Sequence, residues 1–165
     1  MSIVGSYLRL SPAEFARALE SPGWAREFKQ EQAALEHRRG PSELRFHDTG
    51  KSWAGLAHLL ARRGLSGCLL DGEDELPGDE DWGYGPPRLL APDRLAAALD
   101  EWGELPFDAL ADGVTAAELA AAEVYPVRMW DDPFALEQLS AHWTDLRRYL
   151  DRTARYRHGL LIWYS

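Results

Sequence analysis

The sequence has very little cysteine: Cys68 is the single cysteine among 165 residues. An internal disulfide is therefore excluded. Its five histidines are scattered, and it has neither a Cys-x-x-Cys nor a His-Glu-x-x-His motif, so no metal site is predicted. No window approaches the ~18 apolar residues that a membrane span requires. The N-terminal residues lack the basic-then-apolar pattern of a secretory signal. These absences predict a cytoplasmic protein without a cofactor or a membrane partner.

Motifs for nucleotide binding and hydrolysis are also missing. The segment Gly50-Lys51-Ser52 resembles the end of a phosphate-binding loop, but Arg45 occupies the place of the motif's first glycine. No Gly-x-Ser-x-Gly elbow is present. Nucleic-acid binding is not expected, because the net charge is −9 and phosphate contacts need a broad basic surface. The absence of a recognisable catalytic motif therefore favours a protein that is not an enzyme.

The composition predicts one globular domain over residues 1–165. Apolar residues make up 45% of the chain and charged residues 27%, and seven Trp, six Tyr and five Phe predict an aromatic-rich core. β-Branched and aromatic residues predict strands at 3–10 and 160–164, and a shorter apolar run predicts a strand at 65–70. Two capping boxes, Ser11 with Glu14 and Thr115 with Glu118, and apolar periodicity predict several helices between them. The expected fold is α+β, helix-rich, with a small sheet that contains both terminal strands.

The predicted helix at 51–63 carries the candidate binding face. Helical spacing places Trp53 on the core side, where we expect it to be among the most buried residues. Lys51 and His58 share a different face with small residues between them. Arg62 follows one turn later. This arrangement predicts room for a ligand or partner, and the alternative is that His58 has a purely structural role.

Acidic residues are concentrated in one segment, residues 71–81, and without them the chain is close to neutral. The EF-hand pattern fails there, because Leu76 stands where that motif needs glycine. A mobile, solvated loop that faces a basic partner is one interpretation, and an internal clasp onto Arg148, Arg152 and Arg155 is the other. The acidic patch comprises Asp71, Glu73, Asp74, Glu75, Asp79, Glu80 and Asp81.

Two aromatic residues, Trp82 and Tyr84, follow this acidic segment. They form either one wall of a binding site or a cover over the core from an edge strand.

Five short segments resemble, in order and spacing, the YfbM-like proteins, a domain-of-unknown-function family of small soluble bacterial proteins. They are residues 3–10, 51–60, 83–88, 124–126 and 160–164. The resemblance implies the same mixed fold class and assigns no activity and no residue roles.

These patterns leave two hypotheses about function. The first is a non-catalytic interaction module, of a modulator or immunity type, that binds a protein partner with a basic surface through the acidic loop. The second is a small-molecule-binding protein or enzyme that uses Lys51, His58, Arg62, Trp82 and Tyr84. A concave pocket lined by these side chains favours the second hypothesis.

Overall fold

An antiparallel sheet of five strands lies at the centre of the fold. The computed structural model describes residues 2–78 and 82–165. The strands lie in the order β2-β1-β5-β4-β3, so both terminal strands are in the sheet, as predicted. Their bounds are β1 Gly5–Leu10, β2 Phe46–Asp48, β3 Asp74–Glu75, β4 Arg88–Leu90 and β5 Gly159–Tyr164.

The longest strand pair joins the two ends of the chain. Six residues of β1 pair with six of β5, from Gly5 opposite Tyr164 to Leu10 opposite Gly159. The ladder continues past the strands, because the backbones of Val4 and Ser165 exchange two hydrogen bonds of 2.8 and 3.1 Å. The strands nearest the ends of the chain therefore occupy the middle of the sheet.

Eight α-helices surround the sheet in the described part of the chain, and short 3-10 segments at Gly50–Ser52 and Val127–Asp131 precede α3 and α8. No helix in residues 2–78 and 82–165 combines the length and apolar character needed to cross a membrane. The bounds are α1 Pro12–Glu20, α2 Pro22–Glu36, α3 Trp53–Arg62, α4 Cys68–Asp71, α5 Pro92–Trp102, α6 Phe107–Ala111, α7 Ala116–Ala121 and α8 Ala135–Arg155.

Both predicted capping boxes are present. The Ser11 hydroxyl accepts from the Glu14 backbone N–H, and the Glu14 carboxylate accepts from the Ser11 N–H, which satisfies two donors at the start of α1. Thr115 and Glu118 make the same reciprocal pair at the start of α7. These contacts between near neighbours in the chain mark where the two helices begin.

The sheet separates two hydrophobic cores, because successive residues of a strand point to opposite faces. On one face, Tyr7, Leu160 and Ile162 pack with residues of α3 to α8. On the other face, Leu161 and Trp163 pack with residues of α1 and α2. This division determines which candidate side chains can meet.

Two sequence expectations are wrong. The apolar run at 65–70 is not a strand: residues Cys68–Asp71 form α4, and the N–H groups of Leu70 and Asp71 donate to the Gly67 carbonyl. A short run of buried apolar residues does not distinguish a strand from a buried helical turn. Trp53 was expected among the most buried residues, but it stands at the first turn of α3 and is only half-buried.

Candidate functional site

Four half-buried or exposed aromatic residues lie together where β5 ends. Trp53 packs against Tyr164, with ring centroids 4.8 Å apart, and against Tyr125 at 5.8 Å. The backbone N–H of Tyr84 donates to the Tyr164 carbonyl at 2.8 Å, and the Tyr84 side chain is 42% exposed. We call these four residues, Trp53, Tyr84, Tyr125 and Tyr164, the aromatic corner.

Hydrogen bonds to the N-terminal segment hold the aromatic corner in place. The Ile3 N–H donates to the Tyr125 hydroxyl at 2.7 Å, and the indole N–H of Trp53 donates to the Ile3 carbonyl at 3.0 Å. Gly5 permits the close approach, since a Cβ at this position would lie 3.2 Å from the Trp53 Cβ and 3.3 Å from Tyr164. The rings of Trp53 and Tyr125 are therefore fixed in position although both residues are only half-buried.

The Tyr164 hydroxyl connects the aromatic corner to the acidic segment. It lies 2.5 Å from Asp71 Oδ1 and 3.1 Å from the Leu70 carbonyl, which also accepts from the buried Tyr7 hydroxyl at 3.3 Å. Burial raises the pKa of Tyr164 above its ordinary value, so the hydroxyl stays protonated and donates a hydrogen bond to Asp71. Asp71 is thus held by the fold at the start of the acidic segment.

The described part of the acidic segment is partly ordered by internal contacts. Glu73 forms a bidentate ion pair with Arg94, with a closest distance of 2.7 Å, and this hydrogen bonding lowers the pKa of the Glu73 carboxyl. Leu76 is buried, whereas Asp74 and Glu75 in β3 are exposed. The predicted acids Asp79, Glu80 and Asp81 lie outside the described residues.

Two of the three arginines proposed for an internal clasp, Arg148 and Arg152, have other contacts. Arg148 pairs with Asp145 on its own helix at 3.5 Å, and Arg152 donates to the Pro41 carbonyl at 2.9 Å. The Glu73 carboxylate instead pairs with Arg94 of α5, and the Glu73 backbone carbonyl accepts from Arg88 at 2.9 Å. Of the predicted partner patch, Asp74 and Glu75 are the described acids that face solvent.

The predicted face of α3 is less open than its sequence indicates. Lys51 and Arg62 are exposed and His58 is half-buried. Gly55, however, points into the core, since an added Cβ would lie 2.9 Å from Trp130 and 3.1 Å from Leu139. The absence of a side chain at Gly55 thus makes room for these core side chains and not for a ligand.

Trp82 does not join the α3 side chains in one pocket. It packs against Trp163 with ring centroids 5.8 Å apart, in the core beside α1 and α2. The Lys29 ammonium lies 4.5 Å from the Trp82 ring centroid. Because α3 packs on the other face of the sheet, Trp82 and His58 do not line a common cavity.

Negative charge extends well beyond the acidic segment. Residues 92–151 carry 13 acids and four arginines, whereas the residues outside 71–81 and 92–151 carry seven acids and 14 Lys or Arg. The near-neutral remainder expected from the sequence is therefore the sum of an acidic and a basic part. Residues 92–151, which comprise α5 to α7, their connecting loops and most of α8, therefore form a second acidic region of the chain.

Sequence reasoning did not identify Trp53, Tyr125 and Tyr164 as a group. All three lie in the segments that carry the family resemblance, and that resemblance was the available signal. Their separations along the chain are too long for helix or strand periodicity to relate them. Only the closing of the sheet brings them together.

Comparisons with known proteins agree with this fold. The sequence matches the family described as Domain of unknown function (DUF1877) over residues 1–163. The crystal structure of YfbM from Escherichia coli, a protein of unknown function, is similar with a TM-score of 0.64 and 19% identity, over 98% of this chain and 99% of that chain. No curated protein is significantly similar. The chain therefore belongs to the DUF1877 family.

Proposed function

We propose that the protein is a non-catalytic interaction module that binds a protein partner with a basic surface. The aromatic corner is the centre of this proposed surface, and the exposed acids Asp74 and Glu75, which follow Asp71 in the chain, supply its negative charge. The observation that carries the proposal is the position of Trp53 and its neighbouring tyrosines, which are fixed by hydrogen bonds yet remain partly exposed.

The chemistry of the aromatic corner suits protein recognition. Trp and Tyr are enriched among the residues that dominate binding energy, because each combines a large apolar area with a polar group. Side chains that are already ordered lose little conformational entropy when a partner binds. Trp53 and Tyr125 meet this condition, since the Ile3 backbone contacts both.

The charge beside the aromatic corner favours a basic partner. Asp71 accepts from Tyr164 and leads directly into the segment that contains Asp74 and Glu75. Acids at the edge of an interface accelerate the encounter with a basic surface more than they strengthen the final complex. The association rate is therefore expected to fall as salt concentration rises.

The alternative, a small-molecule-binding protein or enzyme that uses Lys51 and His58, has weaker support. The cavity beside Trp82 has a volume of about 240 Å³ and is lined mainly by Pro22, Leu76, Pro77 and Pro87. Cavities that bind drug-sized ligands are typically about 300–1,000 Å³ and contain several convergent polar groups. Larger cavities of about 410 to 550 Å³ lie elsewhere in the described residues, and neither Lys51 nor His58 lines any of them or the cavity beside Trp82.

Site-specific photo-crosslinking in cells tests the proposal. A photoreactive amino acid replaces Tyr84 in one variant and Tyr156 in another, because both side chains are exposed and they lie near opposite ends of β5. We expect the first variant to capture a specific protein that the second does not capture. Equal capture by both variants would contradict the proposed surface.

Titration with the purified, captured protein provides the quantitative test. Tyr84→Ala should weaken binding about tenfold or more, as expected for a central aromatic side chain. Tyr156→Ala, the matched control, should leave the dissociation constant unchanged. Asp74→Asn with Glu75→Gln should slow association without accelerating dissociation. An unchanged dissociation constant for Tyr84→Ala would overturn the assignment of the aromatic corner.

A further inference from the structure

A long groove runs beside α8 on the acidic side of the molecule. One part, of about 550 Å³, lies between residues 104–108 and the segment of α8 from Ser140 to Asp151. A second part, of about 450 Å³, extends to Leu136 and Val114. The two parts are continuous, because Phe107, Asp108 and Ser140 line both.

The dimensions of the groove match a helical segment. The α8 residues that line it extend from Leu136 to Asp151, which corresponds to about 22 Å, or roughly four helical turns, at 1.5 Å per residue. A helix that lies beside α8, with α6 on its other side, would pack as a third helix against an existing pair. Helix-in-groove binding is a common mode of peptide recognition.

The floor of the groove is apolar. Leu105, Val114 and Trp143 are buried, and Phe107 and Leu136 are half-buried hydrophobic residues packed against the same core. The Trp143 indole N–H already donates to the Leu105 carbonyl at 2.8 Å. The hydrophobic area that the floor offers to an apolar side chain therefore comes mainly from Phe107 and Leu136, which are only half-buried.

The rim of the groove is acidic. Glu104, Asp108, Glu137 and Asp151 line it. Arg147, the half-buried cation of the wall, donates to the Gly103 carbonyl at 2.7 Å and lies 5.9 Å from the ring centroids of Trp102 and Trp143.

The other cation on the rim, Arg148, is near Asp145. Carboxylates consequently outnumber cations on the rim, as they do throughout residues 92–151.

We propose that this groove binds a cationic amphipathic helix of a partner protein. Apolar side chains of the helix lie on the floor near Phe107 and Trp143, and Lys or Arg side chains reach the carboxylates on both rims. The groove shares no lining residue with the aromatic corner, so this is a second binding surface beyond the proposed function.

The test uses the full-length protein and a synthetic helical peptide. The probe is a fluorescein-labelled peptide of about 16 Leu and Lys residues, long enough for four turns, with Leu along one face. A second peptide has the same composition in an order without an apolar face. Fluorescence anisotropy in about 0.15 M salt should show saturable binding of the first peptide and at least tenfold weaker binding of the second.

Charge variants determine whether the carboxylates on the rim are responsible for binding the amphipathic peptide. Neutralising Glu104, Asp108 and Asp151 to their amides should weaken binding of the amphipathic peptide about tenfold or more. The control neutralises Glu20, Glu27 and Glu31, three exposed acids of α1 and α2, and so changes the net charge equally. Equal weakening by both triple variants would mean general charge attraction and would overturn the proposal.

Steric variants test the floor in the same way. Ser140→Trp places a large ring where the two parts of the groove meet and should abolish binding. Ala141→Trp, on the adjacent exposed position of α8, is the control and should bind normally. Circular dichroism and melting temperature confirm that each variant folds. Absence of peptide binding to the native protein, or unchanged binding to a folded Ser140→Trp variant, would overturn the proposal.

Discussion

The imidazole of His47 stacks on the ring of Tyr149, with centroids 5.0 Å apart and planes inclined by only 21°. Tyr7 lies on the same histidine at 6.0 Å, and the Tyr149 hydroxyl donates to the Arg45 carbonyl at 2.7 Å. The stacked pair attaches edge strand β2 to α8. Burial among these rings lowers the pKa of His47 to about 4.

This shift predicts loss of stability in mild acid. Asp145 and Asp48 raise the pKa of His47 and His142 lowers it, but desolvation is the larger effect. An unfolded histidine titrates near 6.5, so between pH 6.5 and 4 the unfolded chain binds a proton that the folded chain does not. The contribution to stability is complete above about pH 7 and falls by up to about 3 kcal/mol as the pH approaches 4.

Urea denaturation at several pH values from 4.5 to 7 measures this effect. The variant His47→Phe keeps an aromatic ring on Tyr149 but cannot be protonated, so its unfolding free energy should depend less steeply on pH. His158, whose pKa burial also lowers to about 4, should account for part of the slope that remains. An identical slope for the native protein and the variant would show that His47 does not contribute.

Two tryptophans should differ in their contributions to stability. Trp143 is 1% exposed and donates to the Leu105 carbonyl, so Trp143→Ala should lower the unfolding free energy by about 3–5 kcal/mol. Trp53 is half-buried at the aromatic corner, and Trp53→Ala should lower it by only about 1–3 kcal/mol. Chemical denaturation of both variants ranks them, and an equal or larger loss for Trp53→Ala would contradict this description of the core.

Gly55 should not tolerate even a methyl group. In Gly55→Ala the new Cβ would lie 2.9 Å from Trp130 and 3.1 Å from Leu139, and we expect a loss of about 1–3 kcal/mol. Gly23→Ala is the matched control, because Gly23 is also helical and has no atom within 4 Å of the added methyl. The control should be neutral or more stable by about 0.5–1 kcal/mol. Thermal melting compares the two, and equal stability would show that the core adapts freely.

Arg9 should contribute little to stability despite its burial. Its side chain is 4% exposed, Nη2 donates to the Glu43 carbonyl, and Nε and Nη1 lack a hydrogen-bond partner among the described residues. The guanidinium lies 4.5 Å from the Tyr156 ring centroid. Because a methionine removes the cost of a buried charge and keeps the packing, Arg9→Met should change the unfolding free energy by less than about 1 kcal/mol or increase it.

Urea denaturation at pH 7 measures the effect of Arg9→Met. Arg45→Met is the comparison, because Arg45 forms a bidentate ion pair with Glu14 at 2.9 Å and its removal should be destabilising. A larger loss for Arg9→Met than for Arg45→Met would mean that Arg9 has a strong partner in solution.

Local signals in the sequence predict much of the fold. Three kinds of element follow from residues close together in the chain and can be predicted without a structure. They are the capping boxes at Ser11 and Thr115, the long amphipathic α8 and the apolar terminal strands. The strands β2 and β3 have three and two residues, which is too short for a visible alternation. β2 forms because it pairs with the longer strand β1. β3 forms because it pairs with β4, which in turn pairs with the longer strand β5.

The candidate binding surfaces depend on long-range contacts that the sequence does not reveal. Trp53 and Tyr164 meet only after the sheet has formed, and the groove beside α8 is completed by residues 104–108 from a preceding loop. Lys51 and His58 were selected from helical spacing, and spacing does not show that Gly55 faces the core. The types of residue available for binding were thus predictable from the sequence, whereas their positions relative to one another were not.

The central place of β5 has a consequence for synthesis on the ribosome. Because β5 lies between β1 and β4, the strands made earlier have no common neighbour until residues 159–164 have left the exit tunnel. Helices α1 to α8 can form during translation, but the two faces that they cover do not exist until this last strand is inserted. The nascent chain therefore lacks a closed core, and stays within reach of chaperones, until residues 159–164 have emerged from the ribosome.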